Sequence, residues 1–128
     1  MNFTQHRCTQ EQLDAGILDC PEQYRNKLSE LLTFDELPSK EFVWQRAVSI
    51  ASLFEVIAVD LGFDYSNEDM ALYPMIGGAP FLMSALELAF EDVGLHCYYA
   101  FSKRESVDQV QPDGSIRKVA VFRHIGLY

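Results

Sequence analysis

Two glycines, a Ser-Lys-Arg triplet and one histidine are the residues of this sequence best suited to chemistry. Gly77-Gly78 closes the apolar run Met70 to Ile76, and Pro80 follows where a first helical residue tolerates a missing N–H. A glycine turn that feeds a helix start leaves unpaired backbone N–H groups and the positive end of the helix dipole facing outward, which suits a phosphate or another compact anion. Ser102-Lys103-Arg104 follows a second apolar run, Leu95 to Phe101, at the strand edge where α/β proteins place their ligand groups. There the two cations would neutralise a phosphate. His6 falls after a first short run, on the same expected edge, and an ordinary pKa of about 6.5 suits proton transfer or phosphate contact. Each feature also has a plain structural role open to it. IGGAP is neither GxGxxG nor a Walker loop, so the glycines serve equally as a tight connector, the cations as a solvated hairpin, and His6 as a surface residue.

These residues need elements to position them. Met70 to Ala100 reads as strand, glycine turn, helix and strand, a single βαβ unit. Leu82, Ala85, Leu86, Ala89 and Val93 recur at helical spacing before Gly94 stops the helix. Upstream, a short strand is expected over Asn2 to His6, and Thr9 with Gln12 fits a capping box for a brief helix ended by Gly16. Pro21 to Leu32 carries Tyr24, Leu28, Leu31 and Leu32 along one side of an amphipathic helix. Ser39 is placed to cap a long helix, Glu41 to Leu61, whose Val43, Ala47, Ile50, Phe54, Ile57, Ala58 and Leu61 repeat at three and four residue steps. Its apolar arc also takes in Phe42, Trp44 and Leu53, wide enough for packing on two sides or for contact with a second copy in a homodimer. After Phe101, Pro112-Asp113-Gly114 separates two runs rich in Val and Ile, a hairpin signal in which Pro presets φ and Gly accepts positive φ.

Length and composition narrow the class. At 128 residues with 48% hydrophobic content the chain is expected to form one domain, residues 1–128, with its own core. No apolar run of membrane-spanning length stands out, and MNFTQHRCTQ lacks the features of a secretory leader, so the expected setting is cytoplasmic with no membrane partner. Cys8, Cys20 and Cys97 lie far apart with no CxxC spacing, and the three histidines are dispersed. No disulfide framework, metal site or other cofactor is expected. A net charge of −9 argues against duplex nucleic acid. The charge is uneven: from Tyr98 onward five basic residues face three acidic ones, so that stretch carries +2 while residues 1–97 carry −11. A localised basic site on an acidic body suits a small anionic ligand such as a nucleotide. Glu87, Glu91 and Asp92 are expected on the solvated face of their helix, and no Ser or Cys has the context of a covalent hydrolase.

The tail YYAFSKRESVDQVQPDGSIRKVAVFRHIGLY combines a strand, a Ser-Lys-Arg segment, a hairpin around Asp-Gly and a Val-Phe-x-His strand, all preceded by the glycine turn. In this it resembles the carboxyl end of small stand-alone proteins of the CRISPR-associated Rossmann-fold (CARF) and ring-nuclease group. The likeness covers the C-terminal half, and the chain departs from the group in its Gly-Gly-Ala-Pro turn and its acidity. The resemblance implies an α/β, Rossmann-like domain with a mostly parallel sheet, flanking helices and a C-terminal β-hairpin. It also implies a dimer that binds cyclic oligoadenylate, and in some members metal-independent phosphodiester cleavage by a ribose 2′-hydroxyl. Lys103 and Arg104 match the group's basic segment and Gly77 and Gly78 its turn, with Ser102 as a further donor to phosphate. The residues also admit a small non-enzymatic regulatory or protein-interaction domain of a mobile element or defence locus.

Overall fold

Ser39 starts the longest helix and with it the core. Its Oγ accepts from Phe42 N at 3.1 Å, and the helix runs over Lys40–Asp60. In the computed structural model, which describes residues 1–64 and 71–128, three further helices and three strands surround this one. In chain order they are α1 (Gln10–Asp14), α2 (Glu22–Leu32), α3 (Lys40–Asp60), β1 (Met75–Ile76), α4 (Pro80–Asp92), β2 (Tyr98–Val110) and β3 (Ile116–Leu127). The repeat seen in the sequence of α3 is its buried face through Ala58: Val43, Ala47, Ile50, Phe54, Ile57 and Ala58 pack against α2 and α4, whereas Leu61 is the C-cap and stands exposed. As a whole helix α3 is long and apolar enough to cross a bilayer, contrary to the expectation from single runs. Here that apolar surface is spent on the core, with Ile50, Phe54 and Ile57 fully buried.

The expected capping box is present: Thr9 Oγ1 accepts from Gln12 N at 3.2 Å, and Gln12 Oε1 accepts from Thr9 N at 3.0 Å. The C-terminus of α2 is closed by a residue far along the chain. The Arg46 guanidinium donates to the carbonyls of Glu30, Leu31 and Thr33 at 3.0, 3.0 and 2.7 Å, and lies about 5 Å from the ring centres of Phe34 and Phe42. A cation at the carbonyls that close a helix, of which Glu30 O also accepts from Thr33 N at 3.3 Å, opposes the negative end of the helix dipole. Arg46→Ala is expected to cost about 2 kcal/mol in chemical denaturation. Arg46→Lys should recover only part of that loss, because an ammonium has no flat face to lie between the two rings.

The sheet is mixed. β1 runs parallel to β2 through Met75↔Tyr98 and Ile76↔Tyr99, with α4 as the connection, so the βαβ unit is present. β2 then pairs antiparallel with β3 from Ala100↔Leu127 to Val110↔Ile116. The antiparallel ladder is much the longer of the two, so the expected mostly parallel sheet is replaced by a short parallel pair joined to a long hairpin. The hairpin closes on the expected turn: Gly114 has φ +84° and Asp113 Oδ1 accepts from Ser115 N and Oγ.

Three strand limits differ from the sequence expectation. Asn2 makes single parallel bridges to Asp19 and Met75 in place of a strand over Asn2 to His6, because from Thr4 the backbone folds back onto the Asn2 side chain. Among the described residues, the strand expected from Met70 begins only at Met75. Pro74 has no N–H for a ladder and gives only its carbonyl, to Tyr98 N at 2.9 Å. Met70 itself and most of the acidic turn before it lie outside the described residues. The strand expected to stop at Phe101 continues to Val110, so Ser102, Lys103 and Arg104 sit inside β2 rather than in a loop at its end.

Candidate functional site

Asn2 is the buried polar residue from which the site is built. Its Nδ2 donates to His6 O at 2.6 Å and to Asp19 Oδ1 at 3.0 Å, while its Oδ1 accepts from Thr4 N at 3.0 Å and Thr4 Oγ1 at 2.7 Å. All four hydrogen-bonding positions of the amide are therefore used. The result is a tight turn over residues 4–6 at the carboxyl end of the first bridge. Asp19 also accepts from Cys8 N at 2.8 Å, and Arg25 Nη1 lies 3.9 Å away. Burial pushes the Asp19 carboxyl up, but the bonds from Cys8 and Asn2 together with Arg25 outweigh it and hold the group below its ordinary range.

Beside that turn the β1–α4 connection completes a cleft of about 710 Å³. Thr4, His6, Gly77, Gly78, Ala79, Phe34 and Phe81 are among the residues that line it. Gly78 has φ +140°, a conformation that side chains with a Cβ rarely adopt. Ala79 is the N-cap of α4 and has no polar side chain to offer, and Pro80 opens the helix. Pro80 has no N–H and Leu82 N donates to Ala79 O at 3.0 Å, so the Phe81 amide is what the first turn offers the cleft, at the positive end of a thirteen-residue helix. Phe34 and Phe81 contact edge to face at 5.1 Å, and Phe81 remains half exposed.

Of the six residues singled out from sequence, the cleft brings together His6, Gly77 and Gly78. Ser102, Lys103 and Arg104 do not line it. The lining on β2 ends at Ala100, and at strand rise Lys103 and Arg104 begin about 10 Å farther on, exposed on the hairpin. Arg7, which does line the cleft, is held by Glu22 through two bonds of 2.8 and 2.7 Å.

Other groups take structural roles. Tyr99, also on the cleft, donates its OH to Glu87 at 2.8 Å; burial first, then the carboxylate, raises its pKa. Glu87 is therefore half-buried and engaged, not on a solvated face as expected. Burial, reinforced by Asp19, pushes the Cys8 thiol up to about 11. Burial likewise pushes the Cys97 thiol up to about 12, with Glu87 and Glu91 adding to it, so both stay protonated at neutral pH and are poor nucleophiles. Among the described residues, no three His, Cys, Asp or Glu side chains stand together as a metal site. Asn2 and Asp19 carried no signal in the sequence, since their partners are set by the meeting of three backbone segments.

Along all of its residues, 1–128, the chain matches the model of the Uncharacterized protein MJ1673 family. No curated protein and no solved structure matches it.

Proposed function

We propose that this chain, which belongs to the Uncharacterized protein MJ1673 family, binds a phosphate-containing nucleotide in the cleft beside Gly77 and Gly78. The observation that carries this is the start of α4 at the cleft, with no side-chain cap and the Phe81 amide free, next to Gly78 in a conformation that side chains rarely adopt. A phosphate on that amide leaves a base within reach of the half-exposed Phe81, and His6 stands on the rim for contact with the phosphate. The parallel β1/β2 pair with its α4 crossover supports a Rossmann-like placement, with the ligand at the carboxyl ends of the strands. A single phosphate in the cleft would not also meet Lys103 and Arg104. A ligand with several phosphates spread over 10 Å or more, such as a cyclic oligoadenylate, would engage both the turn and the cations. Ser102, on the same strand, would donate to the outer phosphate.

Cleavage is the further step of the same proposal and needs no metal. A ribose 2′-oxygen attacks the adjacent phosphorus, the bond to the 5′-oxygen breaks, and a 2′,3′-cyclic phosphate and a 5′-hydroxyl result. His6 would take the 2′-proton, the leaving oxygen gains one from solvent, and the Phe81 amide at the start of α4 would offset the added charge on that phosphate, while Lys103 and Arg104, on opposite faces of β2, would hold outer phosphates. A cytoplasmic setting fits such a ligand.

Thermal denaturation with a panel of mononucleotides and cyclic oligoadenylates tests the binding. A ligand at a hundredfold its Kd should stabilise the fold by about 2.7 kcal/mol. Gly78→Val should remove the rise for every ligand, whereas Lys103→Ala with Arg104→Ala should remove it only for the extended ones. No shift with any member of the panel overturns the proposal and leaves the regulatory or interaction role.

A further inference from the structure

Beyond Ala100 the sheet is only two strands wide, and the β2–β3 hairpin forms an arm exposed along most of its length. A two-stranded ribbon of this kind is marginal in water unless something covers it. The register sorts its side chains by face. Val107, Val119 and Val121 are half-buried on one face, where Arg123 is tied to Glu11 of α1 and to Glu105. The opposite face carries Arg104, Asp108, Val110, Ile116, Lys118 and Phe122, all exposed, with Phe122 at 70% and Asp108 opposite Lys118. Arg104 and Lys118 make no ion pair with the described residues.

A matching surface lies on the same chain. The side of α3 turned away from the core shows Val48, Val56 and Val59, the last 71% exposed, with Glu41 and Glu55 at the same helical spacing. Neither glutamate is ion-paired with the described residues. One surface is apolar with two cations against the single carboxylate of Asp108, the other apolar with two glutamates, on a chain whose tail carries +2 and whose body carries −11. Each is about 30 Å long, from the helix rise over α3 and the strand rise over Ser102 to Val110.

We infer that a second copy of this chain covers the arm: each protomer lays the Arg104, Lys118 and Phe122 face of its hairpin along the Val48, Glu55 and Val59 side of its partner's α3, in a reciprocal two-fold dimer. Like-charged arms repel one another, so the exchange of arm onto body is the complementary arrangement. This pairing does not rest on nucleotide binding at the cleft, and it takes up Arg104, which the extended ligand would otherwise engage.

A charge exchange tests it by light scattering on size-exclusion chromatography, at tens of micromolar protein and low salt. The unaltered chain should elute as a dimer and dissociate as salt rises. Arg104→Glu with Lys118→Glu reverses the arm, and Glu41→Lys with Glu55→Lys reverses the helix; each double variant should be monomeric with unchanged circular dichroism. Mixed in equal amounts, the two variants should form a heterodimer, because both reciprocal contacts then join opposite charges. A monomeric unaltered chain, a dimer that survives either reversal, or variants that do not pair on mixing overturns the inference. Elution with bound nucleic acid that the arm reversal removes would also overturn it.

Discussion

Phe54→Ala should lower the stability to urea unfolding by about 4 kcal/mol, the largest loss expected from a single side chain outside the site. Phe54 is fully buried on α3, with its ring edge to face against Phe3 at 5.1 Å and Phe90 at 5.4 Å. Phe3 follows the Asn2 bridge and Phe90 belongs to α4, so one ring joins the long helix, the helix of the βαβ unit and the N-terminal segment. Removing it loses the transfer free energy of the ring and leaves a cavity bounded by groups from three directions, which cannot all close in at once. For a domain of this size the midpoint of thermal unfolding should fall by roughly 15 °C. Phe54→Leu keeps most of the volume and should recover more than half of the loss. Val59→Ala, on the exposed side of the same helix, should change stability by no more than about 0.5 kcal/mol in the isolated protomer. If the Phe54 and Val59 substitutions cost alike, the face assigned to the core is wrong.

The contrast between those two residues also explains what could be read from sequence. The burial of Phe54 follows from spacing, because a helix writes its buried face into residues three and four apart. The caps at Thr9 and Ser39 and the Gly114 turn were legible for the same reason: donor and acceptor lie within a few residues of each other. Strand limits were not. β2 was expected to stop at Phe101, with Ser102-Lys103-Arg104 at its end and the hairpin beyond; the structure runs the two together because β3 pairs along both. That one error moved Lys103 and Arg104 from a loop beside the cleft to the middle of a strand. The glycines and His6 reach the cleft because turn chemistry is local. Arg46 shows the reverse case: nothing near it in sequence announces that it closes α2, thirteen to sixteen residues earlier.

Asn2 is the residue where fold and candidate site meet, and its substitutions should rank in an order that composition would not suggest. Asn2→Ala strips Thr4 N of its acceptor and removes a donor from both His6 O and Asp19, at an expected cost of about 3 kcal/mol. Asn2→Asp is nearly the same size yet should cost more at neutral pH. It preserves the acceptor facing Thr4, but it turns a second acceptor, with negative charge, toward His6 O and the Asp19 carboxylate, which lie 2.6 and 3.0 Å from the nitrogen it replaces. The sign with pH follows. A carboxyl placed against another carboxylate has its folded pKa raised above the unfolded value, so the variant is relatively stable below the unfolded pKa and loses that stability as pH rises through the folded one. Asn2→Asp should therefore regain stability on acidification from neutral toward pH of about 4, while Asn2→Ala should show no such recovery. Because the turn over residues 4–6 hangs on this amide, both variants should also lose the nucleotide-induced rise in melting temperature even where enough native protein remains to measure it. An Asn2→Asp protein as stable as Asn2→Ala at neutral pH, with no gain on acidification, would show that the amide does not face Asp19 and His6 as described.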